Sequence, residues 1–255
     1  MIVKIEQAET VAFLFKGWQE TLIWSCLQNV MGHLYSDSMD KPTSVMALLG
    51  DFCFFAGEPS EELVLYKPEC CVQDFMIMVP QNELWAEMIK RCYKEKAKEV
   101  IRYAIKKEQD VFDRDLLQKA VNTLPANYIM KMMDEDLFCL CKEISWCRDW
   151  VSQYRDFETY QKYGLGAIIL ENGEPVSGAS SYTRYREGIE IEIDTKKEYR
   201  RKGLAYVCGA KLILECLERG LYPSWDAQNK WSVALAEKLG YHFSHEYFAY
   251  EINDY

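Results

Sequence analysis

The segment Ile189–Ala205 constrains this chain more than any other. Glu190, Glu192 and Asp194 alternate with Ile189, Ile191 and Ile193, the period-two pattern of a strand with one apolar and one acidic face. The isoleucines must pack into a core, so the acids point toward solvent or a cleft. The strand runs into Arg200-x-x-Gly203-x-Ala205, which opens a long apolar helical stretch. Strand, basic glycine turn and helix start in this order form a cradle for a diphosphate. The first-turn amides of a helix lack intrahelical acceptors and lie at the positive end of its dipole. Gly203 lets an anion approach the backbone, and Ala205 permits close packing. Lys196, Lys197, Arg200, Arg201 and Lys202 make a basic island in a chain of net charge −10. Alone, the string would read equally well as an ordinary solvated turn; its context on both sides carries the argument.

That context continues along the chain. Gly166–Leu170 and Pro175–Ser181 read as a β-hairpin turning at Asn172-Gly173, a strong turn signal. Downstream, Pro223-Ser-Trp-Asp-Ala-Gln-Asn229 leads to Ser232 and to Leu239-Gly-Tyr241. Four pieces in this order make Ala126–Tyr255 resemble the GNAT superfamily of acyl-CoA-dependent N-acetyltransferases. A narrower resemblance is to its longer, two-part members, which include zwittermicin-resistance acetyltransferases.

The resemblance implies an α/β (α+β) fold. A twisted mixed sheet flanked by helices would hold acetyl-CoA, as co-substrate, between two splayed central strands. By the same likeness, the backbone of Ile193, Asp194 and Thr195 would meet the pantetheine arm. Arg200 and the amides of Arg201, Lys202, Gly203, Leu204 and Ala205 would hold the pyrophosphate. Asn229 and Ser232 would lie near the thioester. Read from the residues alone, Asn229 is equally a helix N-cap with Ser232 in the first turn. Many members carry a Tyr seven residues after that Asn. Here the position is Ala236, which leaves three alternatives: a leaving thiolate is protonated by another group such as Ser232, it departs unaided, or the protein is not catalytic.

At 255 residues the chain has room for two modest domains. Leu124-Pro125-Ala126 is the best candidate boundary, giving an N-terminal α/β domain over 1–125, either a diverged GNAT copy or a lobe peculiar to the subgroup, and the GNAT domain over 126–255. In the first half, 19–30 reads as a helix, 44–49, 52–56 and 74–79 as strands, and 82–107 as one long helix. In the second half, 128–132 reads as a strand and 135–150 as a helix.

No run approaches the ~18 apolar residues of a membrane span, and the acidic N-terminus is unlike a signal peptide. Both point to a cytosolic protein with no membrane partner. The ten cysteines have no spacing suited to zinc and several sit in apolar runs, so reduced structural thiols and no metal are expected. The acidic balance argues against a nucleic-acid partner and suits a cationic amine. A homodimer is compatible with the sequence.

Acetyl transfer to an amine needs a base, because an alkyl ammonium has a pKa near ~10.4. Glu192 is the first candidate and Glu190 the second, with Asp194 nearest the cofactor arm. The bland alternative is an acidic solvated strand face. Three functions stay open on the sequence: an N-acetyltransferase of small-molecule primary amines working by direct attack; a protein N-acetyltransferase; and a non-catalytic acyl-CoA-binding module with a protein partner.

Overall fold

The computed structural model describes residues 1–255, which form two compact units. The first comprises Met1–Arg102 with Glu246–Tyr255, and the second Tyr103–His245. The candidate boundary at residues 125 and 126 therefore falls inside the second unit. Leu124 packs on that unit's core, so the Pro there marks a turn rather than a linker.

The first unit carries strands β1 (Val3–Ile5), β2 (His33–Ser36), β3 (Ser44–Leu49), β4 (Phe52–Gly57), β5 (Phe75–Pro80) and most of β6 (Ala97–Ile105), with helices α1 (Thr21–Leu27), α2 (Glu61–Val64) and α3 (Glu83–Tyr93). β3 and β4 pair antiparallel, while β4 and β5 pair parallel. The core is built from Met46, Phe55, Leu63, Met76, Met78, Trp85 and Ile89.

The single helix expected over 82–107 is not formed. The structure caps α3 at Asn82, whose side chain accepts from the Trp85 amide. The helix then stops where Lys94 turns to a φ of 49°, and the chain re-emerges as β6. Tertiary pairing overrides local propensity here. Lys98 bonds Glu251 at 2.8 Å, and Tyr250 donates to Glu99 at 2.9 Å, contacts that only an extended β6 can offer to a strand more than 150 residues later.

The second unit continues with α4 (Arg114–Asn122), β7 (Ile129–Met132), α5 (Glu135–Glu143), α6 (Phe157–Tyr163), β8 (Gly166–Glu171), β9 (Glu174–Tyr185), β10 (Gly188–Thr195), α7 (Leu204–Glu218), β11 (Tyr222–Ser224), β12 (Asp226–Ala227) and α8 (Lys230–Lys238). β13 (Phe243–Asn253) begins in this unit and returns the chain to the first. Five strands run in the order β11-β10-β9-β8-β7. The β8–β9 hairpin turns at Asn172 and Gly173, with φ of 53° and 86°, the left-handed pair that a two-residue turn matching the strand twist requires. The helix expected over 135–150 ends at Glu143, because Ile144 is extended; a separate short turn, Arg148–Trp150, then inserts the fully buried Trp150.

Two features of this unit set up the site. β11 runs parallel to β10 only from Gly188 to Glu190, while β12 pairs instead with the end of β6, Asp226 opposite Ala104. The strands therefore splay, and one edge of β10 lies open beyond Glu190. Meanwhile α7 buries nine residues, including Leu204, Val207, Cys208 and Ile213, against the isoleucine face of β10 and the strands beside it. A helix apolar over so much of its surface is held wholly by packing. Its start is thereby fixed at the open end of the splay.

Candidate functional site

β10 runs into the loop with little slack. Thr195 is buried, its hydroxyl 2.7 Å from that of Ser177 on β9. Its carbonyl accepts from Arg200 Nε at 3.0 Å, so Arg200 folds back and closes the loop. Arg200 also lies 3.8 Å from Asp194 Oδ1. Burial lifts the Asp194 carboxyl above the usual aspartate range, opposed by the Thr195 amide and by Arg200.

The loop itself takes two left-handed steps, φ 62° at Arg201 and 81° at Gly203. Alternating hands in successive residues turn backbone amides toward one point, an anion-binding nest. None of the amides from Arg201 to Ala205 finds an acceptor within the chain; the first bond of this turn is Val207 N–H to Gly203. Gly203 caps α7 without any side-chain bond, and a Cβ built there would meet nothing within 4 Å. Conformation, not crowding, is what demands glycine.

A second aromatic framework holds this loop from behind. Tyr199 donates its hydroxyl to Glu171 at 2.6 Å, and Lys202 Nζ lies 4.4 Å from the Tyr199 ring centre. The Tyr199 hydroxyl and the Asn127 amide hold the Glu171 carboxyl below its usual range.

These parts line a cleft of about 400 Å³ in the second unit. Of the residues singled out from sequence, it brings together Ile193, Asp194, Thr195, Arg200, Arg201, Gly203, Leu204, Ala205, Asn229 and Ser232. Lys202 stays outside, its ammonium over Tyr199. Asn229 accepts from the Ser232 amide at 3.0 Å, so it is the N-cap of α8 and a wall of the cleft at once. Ser232 Oγ accepts from the Trp225 indole at 3.0 Å. Ala236 is fully buried, and Tyr241 donates to the Pro223 carbonyl at 2.6 Å, with burial pushing its pKa well up. Tyr241 is a packing residue.

Glu190 and Glu192 do not line this cleft. Glu190 is buried, 7% exposed, at the point where β11 leaves β10. It stands in register with Thr183 on β9 and Ser224 on β11. Thr183 Oγ1 is buried without a hydrogen-bond partner, while Ser224 bonds the Tyr185 hydroxyl at 2.9 Å. Glu192 is half-buried, opposite Ser180. The acidic face is thus largely covered, unlike the solvated face a simple Ile-Glu alternation suggests. Tyr199, Trp225, Trp231 and Leu235 complete the cleft. Nothing in the spacing of the first two marks them, but Trp231 and Leu235 lie two and six residues after Asn229, on the start of the helix it caps.

A sheet splayed beside an acidic strand, with a bare-amide helix start at its open edge, defines the fold of the GNAT acetyltransferases. The statistical model of the GNAT acetyltransferase family matches residues 12–250. A crystal structure of a GCN5-related N-acetyltransferase-like protein from Streptococcus suis superposes with a TM-score of 0.92 at 46% identity, covering 97% of this chain and 99% of that one. The uncharacterized N-acetyltransferase YdfB of Bacillus subtilis is 26% identical over 241 residues, 90% of this chain and 89% of the relative. A tandem GNAT protein from the clavulanic acid biosynthesis pathway shares the fold at 10% identity, with a TM-score of 0.59 over 100% of this chain and 98% of its own. The chain belongs to the GNAT acetyltransferase family, and its activity class is acetyl transfer. No helix is long and apolar enough to cross a membrane.

Proposed function

We propose that this acetyltransferase takes its acetyl group from acetyl-CoA and delivers it to a primary amine of a small molecule, by direct attack, in the cytosol. The observation that carries the proposal is the run of five acceptor-free amides from Arg201 to Ala205, four of whose residues line the cleft. They suit a diphosphate, since converging N–H groups and a helix dipole stabilise negative charge together. The open edge of β10 beyond Glu190 suits the amide-bearing pantetheine arm, which can pair with a strand edge as another strand would. Donor binding supplies a thioester carbonyl near the splay.

The chain must then present a neutral amine. Glu190 and Glu192 are the groups for taking the ammonium proton, directly or through a water. Glu190 stands at the apex of the splay, and the unpartnered Thr183 hydroxyl in register with it is a place where an amine or a water would complete a hydrogen bond. Asp194 is tied to Thr195 and Arg200 and holds the loop.

The test is calorimetric titration of the full chain with acetyl-CoA, paired with a thiol-release assay over a panel of small amines. Wild type should bind and turn over. Glu190→Gln or Glu192→Gln should lose about 10²-fold or more in turnover while keeping donor affinity. A chain that does not bind acetyl-CoA, or two variants that both turn over normally, would defeat the reading.

A further inference from the structure

Trp231 is the one tryptophan of seven that lies in solvent. It is 83% exposed, whereas Trp85, Trp150 and Trp225 are buried and Trp18, Trp24 and Trp146 half-buried. It has no ring, cation or hydrogen-bond partner in the chain. Yet it lines the cleft, on the same turn of α8 as Asn229 and Ser232. A large apolar ring left unpartnered at the lip of a cleft is a binding feature rather than a packing one.

We infer that Trp231 is the platform on which the purine of the donor stacks, so that the cleft selects a nucleotide-bearing thioester over a phosphopantetheine thioester carried on a protein. This rests on the donor reading above. The argument is one of direction. A diphosphate held at Arg201–Ala205 sends its two substituents opposite ways. The pantetheine arm takes the open edge of β10, toward Ser232 and the buried Trp225. The nucleoside must leave by the exposed side, where two aromatic rings line the cleft. Tyr199 is already engaged, with Lys202 over its ring and its hydroxyl on Glu171. Trp231, 83% exposed, carries no such engagement. Purine stacking on an indole tolerates any orientation of the base edge, so it needs no hydrogen-bonding groups beside it.

The decisive comparison uses two ligands and three forms of the full chain: CoA and 4′-phosphopantetheine, with wild type, Trp231→Ala and Trp231→Phe. The alanine variant should bind CoA about five- to a hundred-fold more weakly, the span of one lost stacking contact, with phosphopantetheine affinity unchanged. The phenylalanine variant should keep most of the CoA affinity. Because Trp231 lies in solvent, CoA should also quench indole emission in wild type and much less in the alanine variant. An unchanged CoA affinity in Trp231→Ala overturns the inference, as does an equal loss for both ligands, while leaving the donor reading intact. If wild type binds neither ligand, the donor reading falls and takes this with it.

Discussion

The indole of Trp225 donates to Ser232 Oγ across 3.0 Å, joining the strand that splays to the helix that walls the cleft. Ser232 thus serves as an acceptor, and a serine hydroxyl is far too weak an acid to protonate a thiolate whose conjugate thiol has a pKa near ~8.5. Ser232→Ala should therefore act on stability more than on chemistry. It leaves the part-buried indole N–H unpaired, at about 1–2 kcal/mol, readable as a lower denaturant midpoint. Turnover should fall less than about tenfold, whereas loss of a true general acid removes 10²-fold or more, roughly.

Gly203 can be tested by shape alone. A Cβ there meets open space, but the φ of 81° strains any L-residue. Gly203→Val should destabilise the fold by about 1–2 kcal/mol. It should also weaken acetyl-CoA binding, because relaxing the turn spoils the convergence of the amides. Calorimetry with CoA and with phosphopantetheine should show the larger loss for the ligand that carries the diphosphate.

Tyr199→Phe removes the hydroxyl that donates to Glu171 at 2.6 Å. The Tyr199 hydroxyl first, then the Asn127 amide, lower the Glu171 pKa. A lowered carboxyl stabilises the fold above its unfolded pKa and loses that contribution as pH falls through the folded value. In acid titrations followed by circular dichroism, the variant should show a shallower loss of stability below the ordinary glutamate range. An unchanged profile would mean the pair contributes nothing to folding.

Asp194 works in the opposite sense. Burial raises its pKa despite the Thr195 amide and Arg200, so the folded state holds the proton more tightly than the unfolded one. Its contribution therefore declines as pH rises from the ordinary aspartate range through the folded value. Asp194→Asn should flatten that decline in a stability–pH profile. A profile that stays parallel to wild type would contradict this.

Gly178 stands opposite Asp194 in the sheet, and a Cβ there would come within 2.7 Å of the Trp150 ring and of Ile168 Cδ1. Trp150 is fully buried and cannot swing away. Gly178→Ala should cost about 1–3 kcal/mol by overpacking, seen as a lower melting temperature, with near-ultraviolet circular dichroism reporting the displaced indole.

Local chemistry made much of this protein legible. The alternation at 189–194, the Asn172-Gly173 turn and the Arg200–Ala205 string are short-range signals, since a strand face, a left-handed turn and a helix start are each set by a few neighbouring residues. Asp113 and Asp156, which cap α4 and α6, were signals of the same kind that the apolar periodicity of those short helices did not draw out. The apolar periodicity from residue 82 announced α3, but its end did not show: residues 97–105 are as compatible with a helix as with a strand until Tyr250 and Glu251 lie beside them.

Ten of the residues picked from sequence share one cleft. The eight from Ile193 to Ala205 do so because strand, loop and helix start are contiguous in the chain, and contiguity survives folding. Asn229 and Ser232 reach it only through tertiary packing of α8. The burial of Glu190, the splay that opens an edge on β10, and the placing of Trp231 at the lip depend on which strand pairs with which. Those pairings join residues far apart in sequence, β12 to β6 above all. Their free energy comes from packing and hydrogen bonds made only after the chain has closed those long loops, so no local pattern could have announced them.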